Sequence, residues 1–340
     1  GGDRVPEPLT LLDLGWDDAR RREIGRLGVA SAEVGRVSRI DRGICTVLVP
    51  DHRRVSTAGA GVAIGDWVVL GPGPEPRSLP VVTAVLGRRS AFVRNRAGEG
   101  AGAQVVAANA EVVFLVASLD TPLNPPRIER YLTLGWQSGA RPVMVLTKSD
   151  ETDEGELAGA VAEVETLAAE VAVRTVSART GDGVEALGQE FLGQGRTAAL
   201  VGPSGVGKST LLNRMAGGAI MTTGETRSDG KGRHTTTHRE LIVMRERGIL
   251  IDTPGMRALG LWEAEDGLLQ AFADVEELAA GCRFADCAHA SEPDCAVTDA
   301  VLAGTVDRGR IEHWRKLRRE LGVLEARRRE ATRRPPGRLR

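Results

Sequence analysis

Residues 202–209, Gly202-Pro203-Ser204-Gly205-Val206-Gly207-Lys208-Ser209, spell G-x-x-x-x-G-K-S. Glycines at that spacing let backbone N–H groups converge on a phosphate at a helix N-terminus. Lys208 would reach the β- and γ-phosphates, and the Ser209 hydroxyl would ligate Mg²⁺. The octet follows the apolar run Ala198–Val201 and precedes a helix starting near Lys208. A phosphate loop requires that strand–loop–helix setting, whereas a glycine-rich turn does not. Nucleotide contacts are expected along Val201, Gly202, Pro203, Ser204, Gly205, Val206, Gly207, Lys208, Ser209 and Thr210. Asp252-Thr253-Pro254-Gly255 ends a second apolar strand. There Asp252 can hold Mg²⁺ through water, and the Gly255 N–H can report the γ-phosphate. By itself this tetrapeptide is a common turn; at a strand end, downstream of a phosphate loop, it completes a set.

Two short motifs would read the base. Thr147-Lys148-Ser149-Asp150 ends an apolar strand and fits N/T-K-x-D, with Thr147 in place of the commoner Asn. Its Asp150 would accept from guanine N1 and N2, a donor pair that adenine lacks, and the Lys148 stem would cover the ring. Ser177-Ala178 follows the strand 171–176, where the Ala178 N–H could contact guanine O6. The expected ligands are therefore GTP and GDP. The base-reading motifs precede the phosphate loop, the reverse of the ordinary order, so the domain reads as circularly permuted. Chain termini that lie close together at a surface make this tolerable.

Between the phosphate loop and Asp252 lies Gly230-Lys231-Gly232-Arg233-His234-Thr235-Thr236-Thr237-His238. A loop Thr that joins the Mg²⁺ shell is what a γ-phosphate-sensing switch requires; three in a row leave the register open. Ras-type enzymes orient water with a Gln just after this Asp-x-x-Gly. Met256 stands there and cannot do so, and His234 in the switch is the best replacement. Slow intrinsic hydrolysis is expected.

Cys282-x₄-Cys287-x-His289-x₅-Cys295 gathers three of the four cysteines and one of the five histidines. Cys₃His is a closed tetrahedral set for one structural Zn²⁺, with no position open for catalysis. Cys45 stands apart and reads as a small core residue. Residues 308–340 carry +9 within a chain whose net charge is −1, while 150–170 hold eight acids and no Lys or Arg. Such a basic end suits a polyanion, although basic runs are more often solvated faces.

The positioning elements follow from pattern. At 340 residues the chain exceeds a single core. Residues 33–87 show short β runs at Glu33–Ile40, Ile44–Val49 and Asp66–Leu70, broken by glycines, which suits a five-stranded OB-type barrel. Arg36, Arg39, Arg42, His52, Arg53 and Arg54 would decorate it. From about 107, apolar strands (112–117, 143–147, 171–177, 198–202, 241–244, 249–252) alternate with helical segments (127–138, 154–170, 184–192, 207–216), predicting a doubly wound α/β sheet. A basic helix is expected over about 308–332. Hydrophobic residues at 41% and charged residues at 27% exclude wholesale disorder. No apolar run reaches a membrane span, and the polar start predicts no secretory signal. A cytoplasmic protein is expected.

Taken together, Ala107-Ala108-Asn109, TKSD, VGPSGVGKS, GRHTTTH, DTPG and the Cys/His spacing resemble the circularly permuted ribosome-associated GTPases of the YjeQ/RsgA type, over about 33–330. The resemblance implies an N-terminal OB barrel, a permuted GTPase domain and a C-terminal zinc domain. Boundaries are expected at 1–32 (extension), 33–90, 91–262 and 263–340. It favours Thr236, then Thr235, on Mg²⁺, and assigns His234 to catalysis. It also implies action on the small ribosomal subunit and its 16S rRNA in late maturation, with hydrolysis stimulated by that subunit; a monomer is expected. Two competing readings are an ATP-dependent P-loop enzyme and a zinc-stabilised RNA-binding protein with a structural nucleotide.

Overall fold

The computed structural model describes residues 8–28, 33–41, 44–50, 54–58, 61–75, 78–95, 103–168, 170–218, 240–252, 265–284, 286–290 and 292–333. Helix α1 (Asp18–Leu27) opens the chain, with Asp17 accepting from the Arg20 amide at 3.0 Å. Five antiparallel strands follow: β1 (Glu33–Asp41), β2 (Ile44–Leu48), β3 (Arg54–Ala58), β4 (Trp67–Gly71) and β5 (Val81–Val85). They are ordered β5-β4-β1-β2-β3. Val37, Val47, Val49, Val68 and Leu70 close a small core around the buried Cys45, and burial pushes that thiol's pKa up.

Arg36 departs from expectation. It is not a surface residue of this module but is 1% exposed. Its guanidinium donates to the carbonyls of Leu14 (2.6 Å), Asn109 (2.8 Å) and Gly65 (3.3 Å) and lies over Trp67. Burial pushes its pKa down to about 10, so it stays charged at neutral pH. Charge-assisted bonds of about 1.5–3 kcal/mol each offset a desolvation penalty of several kcal/mol. Through them Arg36 joins three parts of the chain. The segment 8–28 is equally integrated: Trp16 meets Trp67 edge-on at 4.9 Å, and the buried Arg20 donates to Asn109 Oδ1 at 2.6 Å.

A hairpin of β6 (Ala91–Asn95) and β7 (Ala103–Ala108) stands as a separate two-stranded sheet, an element the strand–helix alternation did not foresee. The main sheet then builds from β8 (Val112–Ser118), α2 (Pro125–Gln137), β9 (Arg141–Thr147), α3 (Glu154–Leu167), β10 (Ala172–Val176), α4 (Val184–Phe191), β11 (Thr197–Val201), α5 (Lys208–Ala216), β12 (Glu240–Val243) and β13 (Ile249–Asp252). Strands run in the order β10-β9-β8-β11-β13-β12. The first five are parallel, and β12 is antiparallel to β13. Through Arg39 opposite Glu240, β1 continues the sheet beyond β12. Period-2 alternation sorts the core. Val112, Phe114, Val116, Val143 and Leu200 face α4 and α5; Val113, Leu115, Met144, Leu146 and Ala199 face α2 and α3.

The C-terminal region is helical: α6 (Glu265–Ala271), α7 (Ala273–Ala280), α8 (Ala296–Leu302) and α9 (Arg308–Arg333). Gly267 lets α6 press onto α2, since a Cβ there would stand 2.4 Å from the Thr133 carbonyl oxygen. Ile311, Trp314, Leu317 and Leu321 form the buried stripe of α9. Its basic run is divided. Arg308, Lys316, Arg318 and Arg319 are exposed, whereas Arg310 turns inward onto Glu129 at 2.8 Å. Among the described residues, no helix is long and apolar enough to cross a membrane.

Candidate functional site

Five parallel strands end on the same edge of the sheet, so their loops gather there. After β8 the chain proceeds outward to β9 and β10, then returns to lay β11 on the other side of β8. Ligands of doubly wound sheets bind in the crevice that such a reversal opens at the strands' carboxyl ends. The phosphate loop 202–207 leaves β11 there and enters α5. Gly202 passes so close to β8 that a Cβ would meet the Val116 carbonyl oxygen at 2.4 Å. Gly205 and Gly207 have φ of +87° and +90°. Gly207 is the N-cap of α5 and brings no side-chain acceptor, so the first amides of α5 remain available to an anion. Lys208 Nζ donates to the Gly202 carbonyl at 2.9 Å, which holds it over the loop. Ser209 follows on the first turn of α5. Asp252 is buried at the end of β13, paired in register with Leu200 of β11.

The residues expected to read the base reach the same edge. Thr147 ends β9 with its hydroxyl 2.6 Å from the Val206 carbonyl oxygen and 3.1 Å from that of Ala117. Lys148 has φ +61°, and its ammonium pairs with Asp120 in the loop after β8. Against partial desolvation, which pushes the other way, Lys148 and the Ser118 hydroxyl hold the Asp120 carboxyl below its ordinary pKa. Ser149 and Asp150 form a short 3₁₀ turn. A hydrogen bond from Ser177, then Arg179 with Nε 2.6 Å away, keeps the Asp150 carboxyl below its ordinary range. Ser177 is fully buried, and Ala178 packs against the apolar layer beneath α4. Asp120 and Arg179 were not singled out in the sequence. An Asp in a loop and an Arg after Ser-Ala carry no pattern until folding sets them on Lys148 and Asp150. His234, Thr235, Thr236 and Gly255 lie outside the described residues.

A second constellation lies in the C-terminal region. The ligand atoms of Cys282, Cys287, His289 and Cys295 all fall within 4.8 Å of one another. The Cys282 and Cys295 sulfurs are 3.9 Å apart, and His289 Nδ1 is 3.4 and 3.7 Å from them. A tetrahedron with metal–sulfur bonds of about 2.3 Å has edges of about 3.8 Å, so the set fits a tetrahedral metal and not a disulfide. Burial, with Arg318 and Arg315 nearby, pushes His289 below its ordinary pKa, which favours the neutral ring a ligand needs. That ring packs on Trp314 of α9, centroids 5.1 Å apart. Cys295 also caps α8 by accepting from the Thr298 amide.

A phosphate loop and base-reading motifs on one edge of a doubly wound sheet define a P-loop guanine-nucleotide hydrolase. Residues 85–262 match the family model described as RsgA GTPase. Two proteins, each named Small ribosomal subunit biogenesis GTPase RsgA, are similar along most of the chain. That of Streptomyces avermitilis is 43% identical over 91% of this chain and 85% of its own. That of Xanthomonas axonopodis pv. citri is 48% identical over 80% and 71%. Among solved structures, YjeQ from Thermotoga maritima aligns with a TM-score of 0.60 at 27% identity, covering 86% of this chain and 99% of that one. YloQ, described as a circularly permuted GTPase, shares the fold with a TM-score of 0.59 at 21% identity. The chain belongs to the RsgA family of GTPases and is a GTP hydrolase.

Proposed function

We propose that this enzyme binds the small ribosomal subunit in its GTP state, acts in a late maturation step and leaves after hydrolysis. The bond from Thr147 to Val206 supports the nucleotide half of this reading, because the loop expected to read the base then lies against the loop expected to hold the phosphates. In it, Asp150, Ser177 and Ala178 read guanine, while residues 201–210 and Gly255 hold the phosphates. Ser209, Asp252 and Thr236 would hold Mg²⁺, which neutralises phosphate charge when bound. His234 orients the attacking water once the subunit orders the switch. The motif order supports a circularly permuted GTPase domain over 91–262, preceded by the 33–90 module. The order β5-β4-β1-β2-β3 suits an OB barrel closed by the approach of β3 to β5. Cys282, Cys287, His289 and Cys295 would hold one structural Zn²⁺. The exposed Arg308, Lys316, Arg318 and Arg319 would make salt-dependent phosphate contacts with 16S rRNA. The relatives' names, which specify small-subunit biogenesis, favour this partner.

The test is phosphate release from GTP, with and without purified small subunits, at several salt concentrations and with ATP as competitor. Stimulation that falls with salt, unaffected by ATP and lost in His234→Ala, is expected. Equal competition by ATP would favour a generic P-loop enzyme. Turnover indifferent to subunits would favour an RNA-binding protein with a structural nucleotide.

A further inference from the structure

The carboxylate that would read guanine already carries a cation. Arg179, the residue after Ser177-Ala178, places Nε 2.6 Å from Asp150 Oδ2, with Nη2 on the same oxygen. The exposures are unequal: the Asp150 side chain is 9% exposed and that of Arg179 73%. Arg179 thus caps the carboxylate from the solvent side and can leave without disturbing packing. Guanine offers Asp150 the same chemistry, an N1–H and a 2-amino group side by side. Guanine's donor pair would span both carboxylate oxygens, so the two donor sets compete at Oδ2.

We infer that Arg179 sets guanine-nucleotide affinity by competing with the base for Asp150. Binding is then an exchange, in which guanine N–H donors replace guanidinium N–H donors and Arg179 swings into solvent. This rests on the reading of Asp150 as the guanine acceptor. Surface ion pairs with one freely exposed partner are worth about two- to fivefold in an equilibrium constant, enough to tune affinity without blocking the site. Adenine, which has no donor pair for Asp150, would leave the ion pair intact.

Titration with fluorescent GDP and XDP derivatives tests this on the full chain. Because Arg179 is exposed, Arg179→Gln leaves folding untouched and is expected to tighten GDP binding about two- to fivefold, with Arg179→Lys closer to wild type. Xanthine carries an oxygen where guanine has its 2-amino group, so Asp150→Asn should shift preference to XDP. In that background the ion pair is gone, and adding Arg179→Gln should leave XDP affinity unchanged. Weaker or unchanged GDP binding by Arg179→Gln, or an equal gain in both backgrounds, overturns the inference while leaving the base reading intact. An Asp150→Asn protein that still prefers GDP would instead overturn the base reading, and this inference with it.

Discussion

The Thr147 hydroxyl, at the end of β9, lies 2.6 Å from the carbonyl oxygen of Val206 in the phosphate loop, 59 residues along the chain. One side chain thereby fixes the distance between the surface that would read the base and the loop that would hold the phosphates. A commoner Asn would bring an amide donor to this position; the Thr hydroxyl reaches the same carbonyl.

Thr147→Val keeps the shape and removes the donor. Leaving a buried acceptor unsatisfied costs about 1–3 kcal/mol. The expected result is a lower urea midpoint with unchanged slope, and GDP binding weakened by up to about tenfold. Thr147→Ser should restore both, which calorimetric titration would check.

Elemental analysis of the purified chain should find one zinc. Cys287→Ser, or a strong chelator, should remove it and lower the thermal midpoint, because binding a structural metal is part of folding free energy. Retained stability without metal would show that the packing of His289 on Trp314 suffices.

Glu129, 1% exposed on α2, accepts from Arg310 and from His313 Nδ1 of α9. Arg310 also pairs with the half-exposed Asp274 of α7. Removing one partner of a buried pair is far more damaging than removing one at the rim. Glu129→Gln should therefore destabilise by roughly 3 kcal/mol, and Asp274→Asn by less than about 1 kcal/mol. Urea unfolding of the two variants separates them.

Asp17 accepts from Arg89 and from the Arg20 amide, which hold its carboxyl well below its ordinary 3.8. The folded state then binds fewer protons than the unfolded one. This contribution is present above about pH 4 and is lost as pH falls toward the depressed folded value. Both partners are partly exposed, so the effect is at most about 1 kcal/mol. Unfolding measured from pH 6 to pH 2 should show Asp17→Asn less stable at pH 6, with the gap closing on acidification.

Apolar runs alternating with helical segments made the central sheet and its helices readable within a few residues. The hairpin β6–β7 was not, because its runs are short and the glycines at 98, 100 and 102 between them read as a loop rather than a tight turn. Arg36 was misplaced because a strand Arg with Ser38 two residues on looks solvent-facing until Leu14, Gly65 and Asn109 supply its acceptors. The split in the basic helix was hidden likewise: nothing local marks Arg310 as buried until Glu129, 181 residues away, faces it.

Motif identity and spacing were enough to point to phosphate chemistry and a GTPase, and to bring out the Cys₃His set that the fold gathers within 4.8 Å, because these depend on which groups are present and how few residues separate them. Folding alone decided which charges pair. Lys148 meets Asp120, Asp150 meets Arg179, and Arg310 meets Glu129 only when distant segments are brought to one sheet edge or one helix interface. Ion pairs act through space over a few ångströms, and distance in space is what a linear sequence does not record.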